Sequence, residues 1–263
     1  VSISGIDHIA RDKAYTFITN HRDIVLDASF LNICFFRNNY RACEVAIGSN
    51  LLIFDWIATL VKLNGCFIVK RDLKRLDALD AAKELSAYIH HDIQDKTRSV
   101  WIAQREGRAK DSSDQTQESL LKIISLARHT VSVRDKLIQF NLTPVSIAYE
   151  YDPNDYLKAR EFLLKRRDPS FKKSMRDDLF SMETGLLQFK GRVHFNVGTC
   201  INDKLAELPV DIDRTTLLEK ACKLVDKSIH LGYIIYDINY SPADLHRGDR
   251  AFEMLYTAKE REA

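Results

Sequence analysis

Short apolar runs alternate along this chain with longer amphipathic stretches, and few folds tolerate that alternation. The short runs read as buried strands and the amphipathic ones as helices laid against them. Strands are expected over Tyr15–Thr19, Glu44–Ile47, Cys66–Val69, Ser99–Ala103, Leu142–Tyr149 and Val193–Val197. Helices are expected over Leu26–Phe36, Asn50–Leu63, Leu73–Ile93, Leu120–Leu126, from Pro153 to about Lys165, Asp177–Phe189 and Thr215–Leu231. The third of these helices rests on Leu73, Leu76, Leu79, Ala82, Leu85 and Ile89, which recur at helical spacing. Lys110–Glu118 is polar and aperiodic and reads as a loop. The fold class is α/β: a central, mostly parallel or mixed sheet flanked by helices. One domain is expected over residues 1–263, with a core at about 15–200 and a helical C-terminal part at about 201–263.

A chain of 263 residues, 45% hydrophobic and 29% charged, can bury a substantial core. A net charge of +2 is too mild to point to nucleic acid. The five cysteines, Cys34, Cys43, Cys66, Cys200 and Cys222, are scattered and lack metal-ligand spacing. They read as reduced thiols of a cytosolic chain. His90, His91 and His194 have no ligand partners at a sensible spacing, so no metal is expected. The most apolar stretch, Leu51–Val61, is interrupted by Asp55 and is too short to span a bilayer. Strand-like sequence follows almost at once after Val1, which suggests an upstream segment.

Four segments carry the chemistry. In Asn20–Asp27 an apolar strand gives way to His21, with Asp23 and Asp27 nearby. A neutral imidazole at an element end can take a proton from a hydroxyl, and a carboxylate can fix its tautomer. Gly65–Arg71 is a strand ending in the cations Lys70 and Arg71, which suit a phosphate. Ala103–Arg108 ends another strand with Arg105, Glu106, Gly107 and Arg108. There the glycine permits close approach, the glutamate suits hydroxyls and the arginines suit a phosphate. Leu142–Ile147 places Pro144 inside a strand, where it removes a ladder donor and suggests an edge strand or a bulge. No glycine-rich phosphate loop and no nucleophile elbow is present.

In this order the segments resemble the glycerol-3-phosphate and lysophosphatidate acyltransferase family, as a divergent branch. The likeness covers Tyr15–Tyr149 by motif and extends weakly through Gly185–Thr199. The family's first motif is a histidine with an aspartate five positions later. His21 fits, but Leu26 occupies the expected position and Asp27 follows one residue late. The second motif matches Gly65, Ile68, Val69 and Arg71. The third matches Glu106 and Gly107, with Arg108 one residue early and Arg105 in place of a common proline. The fourth matches Pro144 and Val145.

The resemblance implies an enzyme, a glycerolipid O-acyltransferase. It would move a fatty acyl group from a thioester to a hydroxyl of glycerol 3-phosphate or a lysophospholipid. His21 would be the general base and Asp27 its orienting partner, with Asp23 the alternative. One residue on a helix turns a side chain by about 100°, so Asp27 requires an irregular first turn to face the ring. Lys70, Arg71, Arg105, Glu106, Gly107 and Arg108 would bind substrate. No cofactor is implied beyond acyl-CoA or acyl carrier protein as co-substrate. The basic stretch Arg166–Arg176 suits anionic headgroups or an acidic carrier. The implied location is cytoplasmic, at the inner face of a membrane with peripheral contact. An acyl-thioester hydrolase with the same His–Asp pair, or a non-catalytic lipid-binding module, are the competing readings. Acceptor, donor and chain length stay open.

Overall fold

The computed structural model describes residues 1–52, 55–71, 73–95, 97–127 and 131–257. In chain order the strands are β1 (Ser2–Ser4), β2 (Thr16–Thr19), β3 (Glu44–Gly48), β4 (Cys66–Val69), β5 (Val100–Ala103), β6 (Leu142–Tyr149) and β7 (Val193–Val197). The helices are α1 (Leu26–Arg37), α2 (Asp55–Leu63), α3 (Arg75–Gln94), α4 (Glu118–Ile124), α5 (Val133–Gln139), α6 (Asp155–Arg167), α7 (Met175–Leu187), α8 (Asn202–Ala206), α9 (Arg214–Leu231) and α10 (Asp237–Arg247). The strands form one mixed sheet in the order β1-β7-β6-β2-β5-β3-β4, antiparallel at β6–β7 and parallel elsewhere.

Register explains why the central strands read as continuous apolar runs. Phe17 pairs with Trp101 and Ile18 with Ile102, so successive residues feed opposite faces of the sheet. On one face Ile18, Ile102 and Leu142 pack under α3, α4, α5, α8 and α9. On the other, Phe17, Trp101, Val145, Ile147 and Phe195 meet α1. Helix α1 buries Ala28, Leu31, Cys34 and Phe35, a stripe at helical spacing, with the Phe17 and Phe35 rings 5.0 Å apart. Asp27 lies on the same stripe and is the one charged group it buries.

The structure corrects several expectations. Pro144 lies on neither an edge nor a bulge: β6 runs between β2 and β7. Its carbonyl accepts from Gly198 N at 2.8 Å, just beyond the last residue of β7. The missing N–H therefore falls at the end of that ladder, where a single bond is forgone. The helix expected from Asn50 is divided: a 3₁₀ turn covers Ser49–Leu51, residues 53 and 54 lie outside the described residues, and α2 starts at Asp55. Gly65, at φ +70°, ends that helix in the left-handed region. The side chain of Leu76 and residues 258–263 also lie outside the described residues. Helices α5, α8 and α10 were not expected; α8 spans only five residues.

Where β2 ends, Asn20 takes over from the ladder. Its amide accepts from Ile147 N at 2.8 Å and donates to Ile147 O at 2.9 Å, and the side chain is fully buried. Asn20→Ala strands both groups. It is expected to cost about 2–6 kcal/mol, since each buried orphan carries about 1–3 kcal/mol. Equilibrium denaturant unfolding of the variant beside the parent measures this.

Candidate active site

Strands β2, β3, β4, β5 and β6 point the same way, so their carboxyl ends share one edge of the sheet. Ligands of open α/β sheets bind along such an edge. His21, Arg71 and the segment 104–108 all follow carboxyl ends there. The fourth segment is strand β6 itself, which runs beside β2 and delivers Tyr149 to the same edge.

The Asp27 carboxylate organises the start of α1. Its Oδ2 lies 2.8 Å from His21 Nδ1 and accepts from Arg22 N at 2.7 Å and Asp23 N at 3.1 Å. Its Oδ1 accepts from the Tyr149 hydroxyl at 3.0 Å. Burial, then the Asp27 charge, push the Tyr149 phenol far up, so it remains a donor. The His21 ring is largely buried and meets Trp101 edge-on at 5.6 Å. Among the described residues its Nε2 has no hydrogen-bond partner.

The extra residue between His21 and Asp27 is absorbed before the helix begins. Residues 24 and 25 are a turn, and α1 starts at Leu26. Asp23 shapes that turn: its Oδ1 accepts from Val25 N at 2.9 Å and Leu26 N at 2.8 Å. Asp23 thus caps the helix, and Asp27 is the carboxylate at the imidazole. Burial pushes the Asp23 carboxyl up, opposed by the Leu26 amide and, more weakly, by Arg108.

Arg22 is fastened in the opposite direction. Its guanidinium pairs with buried Asp114, donates to Asp111 O at 3.0 Å and lies over the Tyr233 ring at 5.9 Å. The Tyr233 hydroxyl also donates to Asp114. The loop that carries Asp114 is tied down along its length. Gln104 N donates to Thr19 O at 2.8 Å, Ala109 N to His21 O at 2.7 Å, and Thr116 N to Asp226 at 2.8 Å.

The six residues expected to bind substrate do not converge. Arg71 and Glu106 meet in an ion pair at 3.1 Å, bridging the ends of β4 and β5. Gly107, at φ +74°, has open space where a Cβ would be. Arg108 turns inward: its Nη1 is buried without a partner, and its charge is felt by Asp23 and Lys158. Arg105 acts on Asp111, whose carboxyl is held low chiefly by Ser113. Lys70 leaves the edge altogether and pairs with Glu84 of α3 at 2.9 Å.

Sequence reasoning passed over Tyr149, Arg22, Asp114, Tyr233 and Lys158. Tyr149 left one trace: it shares the period of Val145 and Ile147 on β6. Lys158, deeply buried, donates to Arg22 O at 2.9 Å and pairs with Asp152. A cleft of about 180 Å³ opens here, lined by Arg22, Lys110, Asp111, Asp152 and Lys158. The larger cavity, about 480 Å³, lies at the opposite edge among Lys13, Arg41, Glu44 and Arg98, away from His21.

A family model described as acyltransferase matches residues 1–150, more than half of the chain. The chain belongs to the acyltransferase family. Among solved structures it is similar to PlsC, the 1-acyl-sn-glycerophosphate (LPA) acyltransferase from Thermotoga maritima. That likeness has 11% identity and a TM-score of 0.44, over 89% of this chain and 73% of that one, which is too distant to transfer any residue's role. No curated protein matches the chain by sequence.

Gly185 of α7 is a close approach that the site requires. A Cβ there would stand 2.1 Å from Asp23 Oδ2, and Asp23 is pinned by two backbone amides. Gly185→Ala is expected to destabilise the fold by about 1–3 kcal/mol, as overpacking does. Thermal unfolding of the two proteins tests this.

Proposed function

We propose that the protein transfers a fatty acyl group from an acyl thioester to a hydroxyl of glycerol 3-phosphate or a lysophospholipid. The observation that carries the proposal is the His21–Asp27 pair at 2.8 Å, with Nε2 left unpartnered at the carboxyl edge. Asp27 accepts the Nδ1 proton and so leaves Nε2 as the base. The acceptor hydroxyl gives its proton to Nε2 as its oxygen attacks the thioester carbonyl. The tetrahedral intermediate then expels the thiolate, which takes the proton back from the imidazolium. Asp27 stabilises that imidazolium, and Tyr149 holds the second carboxylate oxygen.

Arg71 supplies positive charge for the acceptor's phosphate. Glu106 holds Arg71 in place across the strand ends. Lys70, paired elsewhere, drops out of this reading. The donor is acyl-CoA or acyl carrier protein, and the reaction needs no other cofactor. The acyl chain of the donor and the lipid product are apolar, so the protein works at a membrane surface, the inner face in a cytoplasmic setting. Among the described residues no helix is long and apolar enough to cross a membrane.

A radiolabelled acyl-CoA offered with glycerol 3-phosphate or lysophosphatidate, with lipid products resolved, tests the reaction. His21→Ala is expected to lower turnover by about 10²–10⁴-fold, the usual range of general base catalysis, with the fold retained. Turnover equal to the parent contradicts the proposal, as does thiol release that needs no acceptor. Arg71→Ala is expected to raise the KM for the acceptor more than that for the donor. An unchanged acceptor KM removes Arg71 from the phosphate site.

A further inference from the structure

Helices α6 and α7 bury small or charged residues and leave several large apolar ones in solvent. The residues they bury are Lys158 and Glu161 on α6 and Ser181 and Gly185 on α7. Glu161 touches Lys110, Lys165 and Lys173; burial pushes its carboxyl up, but these lysines outweigh that and hold it low. Large apolar side chains point outward instead: Tyr156 is 75% exposed, Leu187 73% and Phe189 75%, and Phe162, Phe180 and Leu186 are also exposed. Helices that coat a soluble protein do the reverse.

Lys158 of α6 binds Arg22 O, and Gly185 of α7 rests on the Asp23 carboxylate, so both turn their polar faces to one segment beside His21. The sides turned away from that segment carry these exposed apolar side chains, interspersed with cations. The charge around them is mixed, with a positive surplus. Residues 155–190 hold nine Lys and Arg against six Asp and Glu, a surplus larger than the +2 of the entire chain. Arg160, Lys165, Arg166, Arg167, Lys172 and Arg176 are all exposed.

We infer that the outer face of α6 and α7 docks on an anionic lipid bilayer. Aromatic and leucine side chains enter the headgroup boundary, and the surrounding cations meet lipid phosphates. The polar inner face stays on the protein, bound to the segment that carries His21. This deepens the acyl-transfer reading by naming the surface through which lipid substrates reach the site, and it rests on that reading only for its purpose.

Co-sedimentation of the full chain with vesicles tests the inference. The vesicles are phosphatidylcholine alone or phosphatidylcholine mixed with phosphatidylglycerol. The parent is expected to bind the mixed vesicles, more weakly as salt rises, and to bind phosphatidylcholine less. Leu187→Glu with Phe189→Glu, and separately Arg166→Glu with Arg167→Glu, should each weaken binding by about tenfold or more. Leu231→Glu, at an exposed position on α9, should bind as the parent does. The inference is overturned if the parent ignores anionic vesicles or if both double variants bind like it. It is equally overturned if the same residues instead capture an acidic carrier protein. Acyl transfer to glycerol 3-phosphate, free in solution, is assayed in parallel. Vesicle binding without any transfer sinks the enzymatic reading and leaves the docking surface standing.

Discussion

One buried carboxylate holds this site together. Asp27 accepts from the His21 ring, from two consecutive backbone amides and from the Tyr149 hydroxyl. A buried ionised carboxylate is tolerable only with such a set of donors. Each donor comes from a piece of chain that must then be in place: the end of β2, the turn into α1 and the end of β6. The carboxylate that orients the imidazole is therefore also the one that joins three elements at the carboxyl edge. Its position in the first turn of α1, among amides without helical partners, adds to its stabilisation.

The surroundings of that carboxylate are unequal on the two faces of the sheet. Five helices cover one face with an apolar core, and α1 covers much of the other. Above the site, α6 and α7 are held by polar and charged contacts: Lys158 to Arg22 O, Glu161 to Lys110, and Gly185 against Asp23. Apolar burial is non-directional, whereas these contacts fix where the helices stand. The loop from 104 to 117 is secured the same way, with Asp114 between Arg22 and Tyr233. The chemistry-bearing edge is thus built from directional interactions and the body of the domain from packing.

Most of the sheet was legible because its central strands are buried on both faces and leave uninterrupted apolar runs. Strands β4, β6 and β7 begin and end where those runs do. Short α8 was invisible because five residues carry no resolvable period. Pro144 read as an edge because the ladder partner it faces, Gly198, is distant in sequence. In the site, His21, Asp27, Arg71 and Glu106 stood out as polar groups ending apolar runs. The choice between Asp23 and Asp27 depended on where α1 starts, a boundary that the sequence pattern places only loosely. Tyr149, Asp114 and Tyr233 belong to the site through contacts across 122 and 119 residues of chain, which no local pattern records.

The central claim is that Asp27, and not Asp23, orients His21. Its most direct test compares the acyl-transfer turnover of Asp27→Asn with that of Asp23→Asn, each measured beside its unfolding transition. An asparagine at 27 keeps the shape but lacks the negative charge that holds the Nδ1–H tautomer and stabilises the imidazolium, so turnover should drop by roughly a hundredfold or more. Asp23→Asn should keep most of the activity, because an amide oxygen can still accept from Val25 N and Leu26 N. The reverse ranking, or equal losses in the two variants with folds intact, contradicts the account.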